Sequence, residues 1–183
     1  YFALLNDMFV DRWAKPWSRY CDEKGISWTG HYWEHSWPNV TGVIDNMSMA
    51  AWQQTPGIDM LCNQFNEKDV HAQFGNIRSV KEVRSIANQL GRQRVLSETY
   101  GAAGWEATFK DMKRLADWQM VLGVNLVNQH VGHMSLDGVR KFDYPPMFTR
   151  AASWWENYHV LNDYIARICT VMSLGEQVND CLL

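Results

Sequence analysis

The chain has 183 residues, of which 46% are hydrophobic and 20% charged, enough apolar material for one core and too much for disorder. A net charge of -3 argues against a general nucleic-acid binder, and no apolar run approaches the roughly 18 residues of a membrane span. Cys21, Cys62, Cys169 and Cys181 lie far apart with no CxxC pair, which argues against a zinc ribbon and a disulfide-dense scaffold.

The opening YFALLNDMFVDRW reads as the middle of a helical element with no signal peptide in view, so the sequence is expected to be an excerpt of a longer chain. Phe9, Trp13, Trp17 and Tyr20 recur at helical spacing up to Gly25, with Pro16 as a kink or break. A first strand is expected over residues 26–32, a short helix over 46–54 and a second strand over 58–64. Ser79 and Glu82 form a capping-box pattern that starts a helix with Val83, Ile86, Ala87 and Leu90 inward and Gly91 as its stop. A third strand follows over 94–99. Thr108 and Asp111 then start a helix with Met112, Leu115, Ala116 and Leu122 inward, ending at Gly123. The fourth strand is expected over 124–130. The last helix opens at Ser153-Trp154-Trp155-Glu156 and runs through Leu161, Tyr164, Ile165, Ile168 and Met172 to Gly175.

Strands alternating with helices predict an α/β fold with a parallel sheet. The strand starts are spaced by roughly 30 to 36 residues, close to the ~31 per unit of eight βα units in about 250 residues. No GxGxxG or phosphate loop supports a doubly wound sheet instead. Residues 1–183 therefore read as one partial domain: about four βα units, the C-terminal part of a (β/α)8 TIM barrel. Half a barrel leaves strand edges unpaired and strips packing partners from Leu61, Val95, Leu96 and Leu126, so this piece alone is expected to associate and to lack activity.

A parallel barrel places its site at the C-terminal ends of its strands. Those ends hold His31, Trp33, Glu34 and His35, then Asp59 and Asn63, then Glu98, Tyr100 and Trp105, then Asn128, His130 and His133. Ten Trp and seven Tyr exceed what a core of this size needs, and flat rings with a polar edge suit sugars. Glu98, at the end of a short apolar strand, and Glu34, flanked by His and Trp, fit glycoside hydrolysis, where one carboxyl protonates the leaving oxygen and the other activates water or attacks. The bland alternatives are a Glu98 paired with Arg94 or Arg140 and a solvated loop Glu34. His31, His35, Trp33, Asn63, Tyr100, Trp105, Asn128 and His130 are the candidate substrate contacts. Two other classes stay open: a non-catalytic carbohydrate-binding barrel, and a hydrolase with a metal on the histidines, although neither HxxxH at 31–35 nor HxxH at 130–133 is a recognised ligand pattern. Of Trp154 and Trp155, neighbours on a helix, one is expected in the core and the other at the barrel mouth.

The stretch LSETYGAAGWEATFKDMKRLADWQMVLGVNLVNQHVGHMSLDGVRKFDYPP, followed by WWENYHVLNDYIARICTVMSLG, resembles bacterial glycoside hydrolases of the α-L-rhamnosidase type, close to glycoside hydrolase family 106. TGHYWEHSWP and TPGIDML resemble the matching earlier strand ends, and the resemblance covers roughly residues 11–178. It implies a multidomain periplasmic or extracellular enzyme acting on an oligo- or polysaccharide, with no nucleic-acid or membrane partner. It further implies an inverting mechanism with Glu34 as acid and Glu98 as base. Some members carry calcium near the substrate, but this sequence has no obvious acidic cluster for it.

Overall fold

The computed structural model describes residues 1–32, 34, 44–61, 70–142 and 146–178. Helix α1 (Phe2–Phe9) continues through a five-residue π turn, Val10–Ala14, into α2 (Lys15–Lys24). The interruption expected at Pro16 is this wide turn. Proline lacks the amide that an inner helical position would need, and it is tolerated at the start of α2. Gly25, at φ 63°, ends the helix in the left-handed region that glycine adopts without strain. The helical period of the aromatics is right, but their side is not the core: Ala14, Ser18 and Cys21 are buried, whereas Trp13, Trp17 and Tyr20 are exposed.

The expected strand at 26–32 is not a strand. Its backbone polar groups are taken by the segment before the sheet: Trp28 N–H donates to Gln54 Oε1 at 3.0 Å, Thr55 N–H to the Trp28 carbonyl at 3.2 Å, and Gln53 Nε2 to the Gly30 carbonyl at 3.1 Å. Gln53 Oε1 in turn accepts from Gly57 N–H. A Cβ at Gly57 would sit 2.6 Å from the Gly30 carbonyl oxygen, so the two segments touch backbone to backbone. Side-chain amides thus do the work that a ladder would do.

Helix α3 (Asn46–Ala50) starts at Asp45, whose carboxylate accepts from the amides of Met47 and Ser48. Strands β1 (Gly57–Leu61), β2 (Leu96–Gly101) and β3 (Leu126–Gln129) form a parallel sheet in the order β1-β2-β3. Three strands replace the four expected among the described residues, and 62–64 lie outside them. Helix α4 (Val70–Gln89) and α5 (Phe109–Leu122) are the crossovers, and α6 (Tyr158–Leu174) follows a 3-10 turn, Trp155–Asn157.

Helix α4 begins nine residues before the expected cap, so Ser79 is a buried mid-helix residue. Glu82 is engaged elsewhere: Arg78 binds it at 2.6 Å and Asn46 Nδ2 donates to it at 3.1 Å. Leu90, expected inward, is exposed at the frayed end of α4. The Thr108–Asp111 capping box forms as expected. Ser153 caps nothing, because the 3-10 turn precedes α6.

Consecutive strands in sequential order with right-handed crossovers place their helices on one face. There Ile58, Met60 and Val95 pack with Val83, Ala87, Met112, Leu115, Ala116 and Ile165. The polar members of this face are internally satisfied: Thr99 Oγ1 donates to Ser97 Oγ and receives from Gln119 Nε2. Asn125, also buried, accepts from Val95 N–H and donates to the Gln93 carbonyl, fixing the register where β2 and β3 begin.

Candidate active site

Side chains alternate along a strand, so the residues between the packed ones point to the opposite face. Asp59 of β1, Glu98 of β2 and Asn128 of β3 are register partners, and they form a polar row across the face that α4, α5 and α6 do not cover. Leu96 and Leu126 are the row before it. Glu98 sits in the central strand, where its carboxylate is about one quarter accessible.

Two histidines hold that carboxylate. His31 Nε2 lies 2.8 Å from Oε2 and His130 Nε2 lies 3.4 Å from Oε1. A carboxylate only accepts, so His31 carries its proton on Nε2 in this contact. His130 stands just past β3, its amide donating to the Thr99 carbonyl at 2.8 Å, and its buried Nδ1 has no hydrogen-bond partner among the described residues. Glu98 therefore pairs with neither Arg94 nor Arg140. Arg94 donates to the Asn125 carbonyl and Arg140 to Ser135.

Glu34 is not the solvated loop residue of the bland alternative, for it has no accessible surface. Its Oε1 accepts from Asp59 N–H at 2.5 Å and its Oε2 from Tyr32 N–H at 3.2 Å, which ties the segment carrying His31 to the middle of β1. Arg78 holds the Glu34 carbonyl from α4 at 3.0 Å. Burial pushes the Glu34 carboxyl above the usual carboxylate range, against the opposing pull of the Asp59 amide, the Glu34 amide, the charge of His31 and the Tyr32 amide. His31 thus addresses both glutamates.

Tyr100 does not join the site. Pairing jumps from Met60↔Thr99 to Leu61↔Gly101, which leaves Tyr100 as an extra residue in β2 at φ 75°. This bulge turns the ring from the open face into the core, where it stacks on Phe148 and its hydroxyl donates to the Met112 carbonyl at 3.1 Å. The other sequence candidates divide. His31, His130 and Glu98 meet, Asn128 stands beside Glu98, and Trp105 is exposed on the loop after β2. Trp33, His35 and Asn63 lie outside the described residues. Asp59 was on the list of strand-end residues but not among the candidate acids, bases or substrate contacts, although the pattern Gly57-Ile-Asp-Met-Leu61 marks it: an acid between two apolar residues faces away from the core they enter. Of the tryptophan pair, Trp154 joins the core cluster and Trp155 stays exposed.

The described residues gather no group of three or more His, Cys, Asp or Glu able to hold a metal. Calcium takes six to eight oxygen ligands, and no such set is assembled there, so no step is assigned to it. Two cavities of about 450 and 370 Å³ share Arg84, Gly175, Glu176 and Gln177 and lie where β2 and β3 begin, away from Glu98. A third, of about 550 Å³, lies beyond the end of β3.

Residues 1–183 match the model of the glycoside hydrolase 106 family, described as alpha-L-rhamnosidase. Among solved structures the chain is similar to a rhamnosidase from Novosphingobium sp. PP1Y, at 23% identity and a TM-score of 0.72, over 94% of this chain and 16% of that one. The chain thus spans about one sixth of that relative's length. No curated protein matches it.

Proposed function

The chain belongs to the glycoside hydrolase 106 family, the α-L-rhamnosidases, and on that premise we propose that its open sheet face carries the acid and base of an exo-acting rhamnosidase. The observation that carries this reading is Glu98: an accessible carboxylate on the open face of the central parallel strand, gripped by His31 and His130. Imidazoles on both oxygens fix the carboxylate's orientation, as a base that must aim at one water requires. Glu34, whose burial raises its carboxyl above the usual carboxylate range, is the matching acid. Two carboxyl groups with opposed environments are the arrangement that glycoside hydrolysis uses. Protonation of the glycosidic oxygen by one and deprotonation of water by the other release terminal rhamnose in a single displacement with inversion.

The same reading makes β1, β2 and β3 consecutive staves of a (β/α)8 barrel, with the row of Asp59, Glu98 and Asn128 facing its interior. Supporting it are the sequential parallel order, the packing of α4, α5 and α6 on one face, and the likeness in fold to a solved rhamnosidase. A parallel sheet is ordinarily covered on both faces, and a barrel closes the second by curling on itself. The substrate is then a poly- or oligosaccharide ending in α-L-rhamnose, and the enzyme a periplasmic or extracellular one.

One observation favours a different role for Glu34. Its two oxygens already accept from two backbone amides and no atom is exposed, so it is also suited to clamp His31 in place. The test is hydrolysis of an aryl α-L-rhamnoside by the full-length protein, followed by NMR of the first-formed sugar. Inversion is expected. Glu34→Gln separates acid from clamp: loss of the acid spares substrates with good leaving groups, whereas loss of the clamp slows all substrates alike.

A further inference from the structure

The cavity beyond β3 takes no part in the acid–base pair, yet the chain delivers it to the same end of the sheet. His133, Ser135, Phe148, Thr149, Arg150 and Trp155 line it. Phe148 N–H donates to the Val131 carbonyl at 3.3 Å, and a Cβ at Gly132 would meet the Phe148 oxygen and Thr149 Cγ2 at 3.4 Å. The segment carrying Thr149 and Arg150 is therefore seated directly on the residues that leave the site. His133 is three residues past His130, a reach of at most ~11 Å, and His130 faces Glu98.

Its lining has the chemistry of a sugar site. Trp155 is 39% exposed, and its indole lies 10° from parallel with Tyr158 at a centroid separation of 5.9 Å. Tyr158 is itself fixed, since its hydroxyl accepts from Gln129 Nε2 at 2.7 Å. The indole is thus a preset flat surface at little entropic cost. Hydroxyl-bearing Ser135 and Thr149 and the imidazole of His133 stand around it. The charge of the lining is one-sided. Arg150 has no acidic partner among the described residues, and no Asp or Glu lines the cavity. Asp137 bonds to the lining from outside, accepting from the Ser135 hydroxyl at 3.0 Å, and Arg140 donates to that same hydroxyl.

We propose that this cavity is the subsite for the sugar on the leaving-group side of the scissile bond, and that the sugar it takes is a uronic acid. The ring stacks on Trp155 and the carboxylate meets Arg150, whose planar fork matches it in two parallel hydrogen bonds. The proposal rests on the rhamnosidase reading, because it locates the second sugar relative to Glu98.

The test uses full-length protein and a matched pair of disaccharides, a rhamnosyl hexuronate and the same compound with its carboxyl reduced to the alcohol. Wild type is expected to prefer the acid by about 10-fold in kcat/KM, mostly through KM, as one charge-assisted contact gives. Arg150→Gln should abolish that preference by bringing kcat/KM for the acid down to that for the reduced disaccharide, and Trp155→Ala should weaken both disaccharides together. A wild type with no preference, or a preference that survives Arg150→Gln, overturns the proposal. If wild type cleaves neither disaccharide, the rhamnosidase reading falls by itself. Calorimetric binding of the two disaccharides to wild type and Arg150→Gln then decides the cavity alone, by the same difference or its absence.

Discussion

The two faces of the sheet are built from alternate residues of the same three strands, and they have opposite properties. On the helix-covered face Ile58, Met60, Ser97 and Thr99 are fully buried, and every polar atom named there has a partner within the layer. On the open face Asp59, Glu98 and Asn128 stand in a row, and the central carboxylate is held by histidines from two loops. On the proposed reading, stability and chemistry are separated by one residue step along a strand. A change at position 97 or 99 should act on folding, and a change at 98 on turnover.

The largest expected effect tests the open face. Glu98→Gln should lower kcat by about 10²–10⁴-fold, as loss of a general base does, while hydrogen-exchange protection of the strand peptides stays as in wild type. The converse change is Leu115→Ala under the packed face. Local stability should fall by about 2–5 kcal/mol, read as faster exchange in β2 and α5, with kcat per folded molecule unchanged. Tyr100→Phe sharpens the boundary between the faces. It removes the hydrogen bond to the Met112 carbonyl, costing roughly 1 kcal/mol, and KM should not move because the ring is in the core. Had Tyr100 faced the substrate, KM would rise with stability intact.

The smallest effect is a pH slope. Burial raises the Glu34 carboxyl above its ordinary 4.5, so the folded state binds this proton more tightly than the unfolded state. That contribution to stability is fully present below about pH 4.5 and is lost as pH rises through the folded-state value. Protection factors in β1 should decline across that window, and Glu34→Gln should remove its share of the decline. A wild-type slope of the opposite sign would mean that the two amide bonds to Glu34 outweigh its burial.

Much of the packed face was legible in the sequence. The apolar spacing of Val83, Ile86 and Ala87 and of Met112, Leu115 and Ala116 reports a helix face directly, as does the Thr108–Asp111 box. The strand at 26–32 was misread because its composition suits a strand, while its partners are the side-chain amides of Gln53 and Gln54, a tertiary substitution for a ladder. Glu98 stood out as a carboxylate in a short apolar strand, although it is the third residue of β2 and not its end. His31 and His130 were candidates, but their convergence on it depends on loops from opposite sides of the strand, which no local pattern encodes. Tyr100 was misassigned for a physical reason: strict alternation puts it beside Glu98, and a single-residue bulge reverses it. That same alternation in β1 puts Asp59, one of the strand-end residues, on the open face beside Glu98.

The central claim is that the carboxylate on the open face performs chemistry, and chemical rescue tests it most directly. Glu98→Ala in the full-length protein removes the carboxylate between His31 and His130. Sodium azide, a nucleophile that needs no general base, should restore turnover of an aryl rhamnoside at least tenfold over the variant alone, by the same base-catalysis scale, with rhamnosyl azide as the product. The core variant Leu115→Ala should show no response to azide. A Glu98→Ala protein that keeps more than about a tenth of the wild-type rate without azide, or one that is folded, inactive and unresponsive to it, would contradict the assignment of the base to Glu98.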